Sequence, residues 1–114
     1  MEFGEFFLAV KDRLTLEQIR ELDPFAEFVK EGNSFLALKA FGKNGLWVDW
    51  SVGEGLDWMH KIRDFARRNN IKVVAFETKS DNKAVLAIAK YWKARRIADI
   101  AGKIVFEIDV FGVR

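Results

Sequence analysis

Residues 46–59 read Leu46-Trp47-Val48-Asp49-Trp50-Ser51-Val52-Gly53-Glu54-Gly55-Leu56-Asp57-Trp58-Met59. Leu46–Ser51 has the composition of a strand, two glycines follow, and a helical pattern then takes over. Over Glu54–Asn69 the apolar Trp58, Met59, Ile62, Phe65 and Ala66 recur at three- and four-residue spacing. Lys61, Arg63, Asp64, Arg67 and Arg68 fall on the other face, so this helix is amphipathic. A strand, a glycine loop and a helix start form an arrangement suited to an anion. Glycines let the backbone approach it closely, and the exposed N–H groups of the first turn bind its charge. The same glycines also serve simply to turn the chain from strand to helix, where Glu54 and Asp57 complement the helix dipole.

Upstream, Ser34–Phe41 and Leu46–Ser51 flank Gly42-Lys43-Asn44-Gly45, which predicts a hairpin. Glu2–Val10, with Phe3, Phe6, Phe7 and Leu8, reads as a first strand. Thr15-Leu16-Glu17-Gln18 fits a capping box and starts a helix at about Leu16. Asp23-Pro24 then predicts a second short helix, Pro24–Glu31, closed by Gly32-Asn33. Downstream, Asn69-Asn70 ends the amphipathic helix and Ile71–Phe76 is a buried strand. Ser80 or Asp81 caps a last helix, Asn82–Lys93, with Val85, Ile88, Ala89 and Trp92 inward. Ile97–Ile100 and Lys103–Val110 form a final strand pair about Ala101-Gly102. This order is that of a mixed α/β chain: a mostly antiparallel sheet with helices on both faces. The helix between Leu46–Ser51 and Ile71–Glu77 is a crossover, so these two central strands run parallel. Trp58, Ile62, Phe76, Ile88 and Phe106 are the expected core residues joining helices to sheet.

The 114 residues are 50% hydrophobic and 32% charged, which suits one domain spanning 1–114 and excludes a disordered chain. Without cysteine there is no disulfide, thiolate site or cysteine nucleophile, and the single histidine, His60, does not make a zinc site. No apolar run reaches the ~18 residues of a membrane span, and Met1–Glu5 lacks a basic leader, so the expectation is a cytoplasmic protein. The net charge of +2 conceals an asymmetry: residues 1–57 hold 6 basic and 11 acidic side chains, residues 58–114 hold 13 and 6. A basic second half serves solubility, or meets an anionic partner such as a phosphorylated cofactor. Arg63, Arg67, Arg68, Lys72, Arg95 and Arg96, with Phe41, Trp47, Trp50 and Trp92, are the residues a nucleic acid would use. No basic-aromatic-basic string joins them, which argues against that partner.

The element order and one string resemble the GNAT superfamily of acyl-CoA-dependent N-acyltransferases, in particular short, divergent members of the kind found in bacteriophages and mobile elements. In that family a strand ends in Gln/Arg-x-x-Gly-x-Gly/Ala, which opens the next helix. Trp50-Ser51-Val52-Gly53-Glu54-Gly55 has this spacing and both glycines. Thr78-Lys79-Ser80-Asp81-Asn82-Lys83-Ala84 is similar to the family's loop in which an Asn precedes the following helix. The resemblance implies a GNAT-like sheet whose central parallel pair splays at one end. It also implies acetyl-CoA or another acyl-CoA as cofactor, held by Val48, Trp50, Gly53, Glu54, Gly55, Leu56 and Asn82. Asp49 would be the general base toward an amine acceptor, and Glu77 is a second carboxylate beside the same cleft.

The chain departs from the family at chosen points. Trp50 replaces Gln or Arg, and Glu54 adds a carboxylate to the anion loop. Seven residues after Asn82, where the family commonly carries a catalytic Tyr, stands Ala89. Tyr91 lies about 200° further around the helix and is the substitute acid to consider. Two functions are therefore expected: an N-acyltransferase with a degenerate site and weak or absent acyl-CoA binding, or a catalytically inactive GNAT-like module that binds a protein partner.

Overall fold

The computed structural model describes residues 1–53 and 56–113. Its first element is a helix, α1 (Phe3–Val10), where a strand Glu2–Val10 is expected. Phe3, Phe6, Phe7 and Val10 share one helical stripe, and Phe6 and Val10 are wholly buried. Strand alternation would group Leu8 with those two, yet Leu8 is 64% exposed. A 3-10 turn, Lys11–Arg13, leads to α2 (Leu16–Glu21). The capping box is present: Gln18 N–H donates to Thr15 Oγ1 at 3.1 Å and Thr15 N–H to Gln18 Oε1 at 2.9 Å.

The expected helix Pro24–Glu31 is replaced by a turn and a strand. Asp23 Oδ1 accepts the Phe25 N–H at 2.9 Å and the Asp23 carbonyl accepts that of Ala26 at 3.1 Å. Asp-Pro thus makes a tight turn, a role its chemistry suits as well as helix initiation. Ala26 and Phe28, two apart, bury together and the chain continues as β1 (Glu27–Glu31). Gly32, at φ +59°, then turns a hairpin where a helix end is expected.

β2 (Ser34–Phe41), β3 (Gly45–Val52), α3 (Asp57–Arg68), β4 (Val73–Lys79), α4 (Lys83–Tyr91), β5 (Arg95–Ile100) and β6 (Lys103–Asp109) follow, with a last 3-10 turn over Val110–Gly112. The strands form one sheet in the order β1-β2-β3-β4-β6-β5. Its neighbours are antiparallel apart from the parallel pair β3 and β4. The cap of α4 is Asn82, whose side chain accepts the Val85 N–H at 3.3 Å, rather than Ser80 or Asp81.

Helices cover both faces. Met59, Ile62 and Ala66 of α3 and Val85 and Ala89 of α4, with Trp92 just beyond it, pack on Leu36, Leu38, Val74, Phe76, Ile104 and Phe106. Phe6 and Val10 of α1 pack with Leu22, Phe28, Ala37 and Val52 on the opposite face. Of the expected core, Ile62, Phe76 and Phe106 are buried, while Trp58 and Ile88 lie half-buried against the same cluster. Arg67 of α3 reaches the last turn, donating to the carbonyls of Val110, at 3.2 Å, and Val113. No helix among the described residues is long and apolar enough to cross a membrane.

On the edge of the sheet Arg95 grips Asp109 through both carboxylate oxygens, at 2.6 and 3.1 Å, and also holds Glu107. The hydrogen bonds from Arg95 keep the Asp109 carboxyl below its ordinary value of 3.8. A depressed carboxylate stabilises the fold above the unfolded value and loses that contribution as pH falls through the folded one. In Arg95→Gln the Asp109 titration followed by NMR should therefore move up toward 3.8, shrinking this acid-labile contribution.

Candidate functional site

β3 and β4 pair over three positions only: Gly45 with Val73, Leu46 with Val74 and Trp47 with Ala75. Beyond Trp47, β3 stays with β2, while Phe76–Lys79 of β4 stay with β6. The strands part there, and a cleft of about 1030 Å³ opens between them. Val48, Asp49, Trp50 and Ser51 form one wall, and Phe76, Glu77, Thr78 and Lys79 the other. Trp58 of α3 and Asn82 and Val85 at the start of α4 complete one end. Thr15, Glu17, Gln18 and Glu21 bring α2 to it from the opposite face of the sheet.

Asp49 occupies this cleft because the strand is irregular. Ala37 pairs with Trp50 and Leu38 with Val48, so Asp49 has no opposite number and is the extra residue of a β-bulge. A bulge turns consecutive side chains to one side and re-aims them. Trp50 accordingly packs toward the α1 cluster, and Asp49 Oδ1 reaches Lys39 on the same face at 3.5 Å. Lys39 also pairs with Asp23 at 2.9 Å. The Asp23 hydrogen bond, aided by the charge of Asp49, raises the Lys39 ammonium above its ordinary value, so it stays protonated throughout the neutral range. The second oxygen of Asp49, Oδ2, is buried and has no hydrogen-bond partner.

The residues expected to hold an acyl-CoA gather only in part. Val48, Trp50 and Asn82 line the cleft, and Leu56, half-buried at the head of α3, packs on the main core. Glu54 and Gly55 lie outside the described residues. Gly53 has a packing role of its own. A Cβ there would sit 2.5 Å from Ser34 Oγ, and Ser34 is wholly buried, with its hydroxyl 3.4 Å from Asp57 Oδ2. Gly53→Ala should cost about 1–3 kcal/mol by overpacking. Ser34→Gly in the same chain should recover part of that loss, giving a non-additive urea-unfolding cycle.

Tyr91 is 60% exposed at the last position of α4, whereas the cleft meets the first turn of that helix. Ala89 is buried in the core, 1% exposed. His60 is exposed, its ring edge-on to Trp92. Phe41 and Trp47 stack at 6.0 Å, but Trp92 belongs to the core on the other face of the sheet, so no four-ring platform forms. Several of the arginines named above are engaged internally: Arg67 as described, Arg68 with Glu31 at 2.6 Å, and Arg96 with Asp99 at 2.7 Å.

Glu17, Glu21 and Lys103 line the cleft without a site role read for them in the sequence, and Gln18 and Trp47 line it beside the roles in a helix cap and an aromatic platform considered above. The one signal available for them was the pair of acids four apart on the capping-box helix, which lie on one face.

A scan of protein families and a search of curated protein sequences find no match to this chain. Solved structures do match it. The crystal structure of the ribosomal-protein-S18-alanine N-acetyltransferase from Escherichia coli aligns with a TM-score of 0.65 at 10% identity, over 96% of this chain and 90% of that one. The parallel pair that opens after three rungs, the crossover helix between its strands and this alignment agree: the chain has the GNAT N-acetyltransferase fold.

Proposed function

We propose that the cleft between β3 and β4 binds an acyl-CoA and serves acyl transfer to an amine, from a site stripped of the family's usual acid. The carrying observation is the strand separation itself, with the bulged Asp49 in its wall. The residues present suit the cofactor. Past Trp47 the β4-facing edge of β3 has no strand partner, so its backbone groups are available to the amides of a pantetheine arm. Leu56 offers no side-chain cap to α3, so the helix N-terminus would face a phosphate without a competing side chain from its cap residue.

An acyl-CoA supplies an activated acyl carbon: the new C–N bond forms as the C–S bond breaks, and the thiol leaves. The chain's own part is to hold the two reactants together and to manage protons. Asp49 is the base toward the attacking amine, while Lys39 keeps its carboxylate oriented through Oδ1. With Ala89 buried and Tyr91 at the far end of α4, neither residue would supply the proton that a thiol leaving group needs.

The second reading, a GNAT-like domain that binds a protein partner without chemistry, draws support from that same missing acid. Acetyl-CoA separates the two. At a hundred times its dissociation constant it should add about 2.7 kcal/mol of stability. For a chain of this size that is a melting shift on the order of 10 °C. Amide shifts over Val48–Gly53 should accompany it. No melting shift at millimolar acetyl-CoA would overturn the transferase reading in favour of the inactive module.

A further inference from the structure

We infer that α2 is a strap over the cleft, hinged at both ends, which swings open while the sheet stays folded and so governs entry. That it governs the entry of an acyl-CoA rests on the transferase reading above; the motion itself does not.

The ends of this segment are fixed and its middle is not. Val10 and Leu22 are buried in the α1 cluster, and Leu14 packs against it. Asp23 is held by Lys39 at 2.9 Å and by the Phe25 N–H at 2.9 Å. Between these anchors none of the six residues of α2 is buried, and Leu16 is 65% exposed. Among the described residues no hydrogen bond or ion pair joins Leu16–Glu21 to another helix or strand. The bonds it makes are local: the capping box, the Ile19 N–H to the Thr15 carbonyl at 3.0 Å and the Leu22 N–H to the Ile19 carbonyl at 3.2 Å. Glu17 and Glu21, four apart, repel each other and weaken the helix further.

A segment with so few buried contacts opens locally, at a fraction of the free energy of global unfolding. Thr15 before α2 and Leu22 after it have extended backbone and supply the hinges. The motion stops at α1, where Phe6 and Val10 are wholly buried. Thr15, Glu17, Gln18 and Glu21 form the α2 side of the cleft, so displacement of the helix opens that side and its return closes it. Over a bound thioester, closure keeps water from the reactive carbon.

Arg20 is the handle for a test, because it is exposed on α2 and does not line the cleft. Amide exchange followed by NMR should run on the order of a hundredfold faster at Ile19 and Leu22 than at the slowest amides of β2 and β4. Arg20→Gly should speed exchange at these two positions roughly threefold and leave the urea midpoint unchanged, whereas Arg20→Ala should not speed it. Entry is read from a thiol placed in the cleft wall by Ser51→Cys, in a chain that otherwise has no cysteine. A maleimide should label that thiol roughly threefold faster when Arg20→Gly is added. A urea midpoint that falls in step with the faster exchange, or Ile19 exchanging as slowly as the central strands, would overturn the hinged opening. Labelling that Arg20→Gly leaves unchanged would overturn the role in entry. Acetyl-CoA should slow both exchange at Ile19 and labelling. Faster labelling in Arg20→Gly with no acetyl-CoA melting shift would uphold the strap and remove the transferase reading instead.

Discussion

Replacing Phe76 by alanine is expected to cost about 3–5 kcal/mol, the range for deleting a large buried aromatic ring. Phe76 is 2% exposed and occupies the first position of β4 beyond the parallel pairing. Its ring meets Trp58 edge-on at 6.0 Å and Phe106 at 5.7 Å, so it joins α3, β4 and β6 at one point. Three groups of contacts vanish together on truncation, and each aromatic pair contributes beyond its buried area. Urea unfolding should show the midpoint falling with little change of slope. A loss under 1 kcal/mol would mean that the cleft side of this ring is already hydrated. Phe76→Leu, which keeps most of the volume, should recover more than half of the loss.

The second large effect concerns rate. With transfer to an amine established, Asp49→Asn should lower kcat by about 10²–10⁴-fold, the usual worth of a positioned proton acceptor. The amide keeps the size and the capacity to face Lys39, but it cannot take a proton. The acetyl-CoA melting shift should survive, because the backbone edge of β3 is untouched. A variant that loses melting shift and rate together would assign Asp49 to binding rather than to proton transfer.

The last four strands, the crossover helix and the hairpin could be read from the sequence because local signals agree there. Gly42-Lys43-Asn44-Gly45 is turn chemistry, and Met59, Ile62 and Ala66 keep helical period; both meet the structure as expected. The N-terminal third was harder. Eight residues such as Phe3–Val10 are too short for periodicity to separate helix from strand, and what decides is how Phe6 and Val10 fit the sheet. Asp23-Pro24 is ambiguous for the same reason, serving a turn and a helix start alike. The site was legible in its strands but not in its charge. The bulge at Asp49 breaks the sequence alternation in which Leu46, Val48 and Trp50 are apolar. Glu17 and Glu21 read as solvated surface until topology brings α2 to the open end of β3.

The short parallel seam has a consequence for how the molecule comes together. Among the described residues, three rungs are the whole of the strand pairing between a β1-β2-β3 meander and a β4-β6-β5 unit. Within each unit the strands pair over longer stretches and mostly with near neighbours in the chain. Contacts between residues close in sequence form first, since little loop entropy opposes them. The two units are thus expected to form as sub-assemblies, with the seam, which needs α3 to span it, closing after them. On this view the cleft is less a hollow carved from a finished sheet than the unclosed remainder of a joint between two half-sheets.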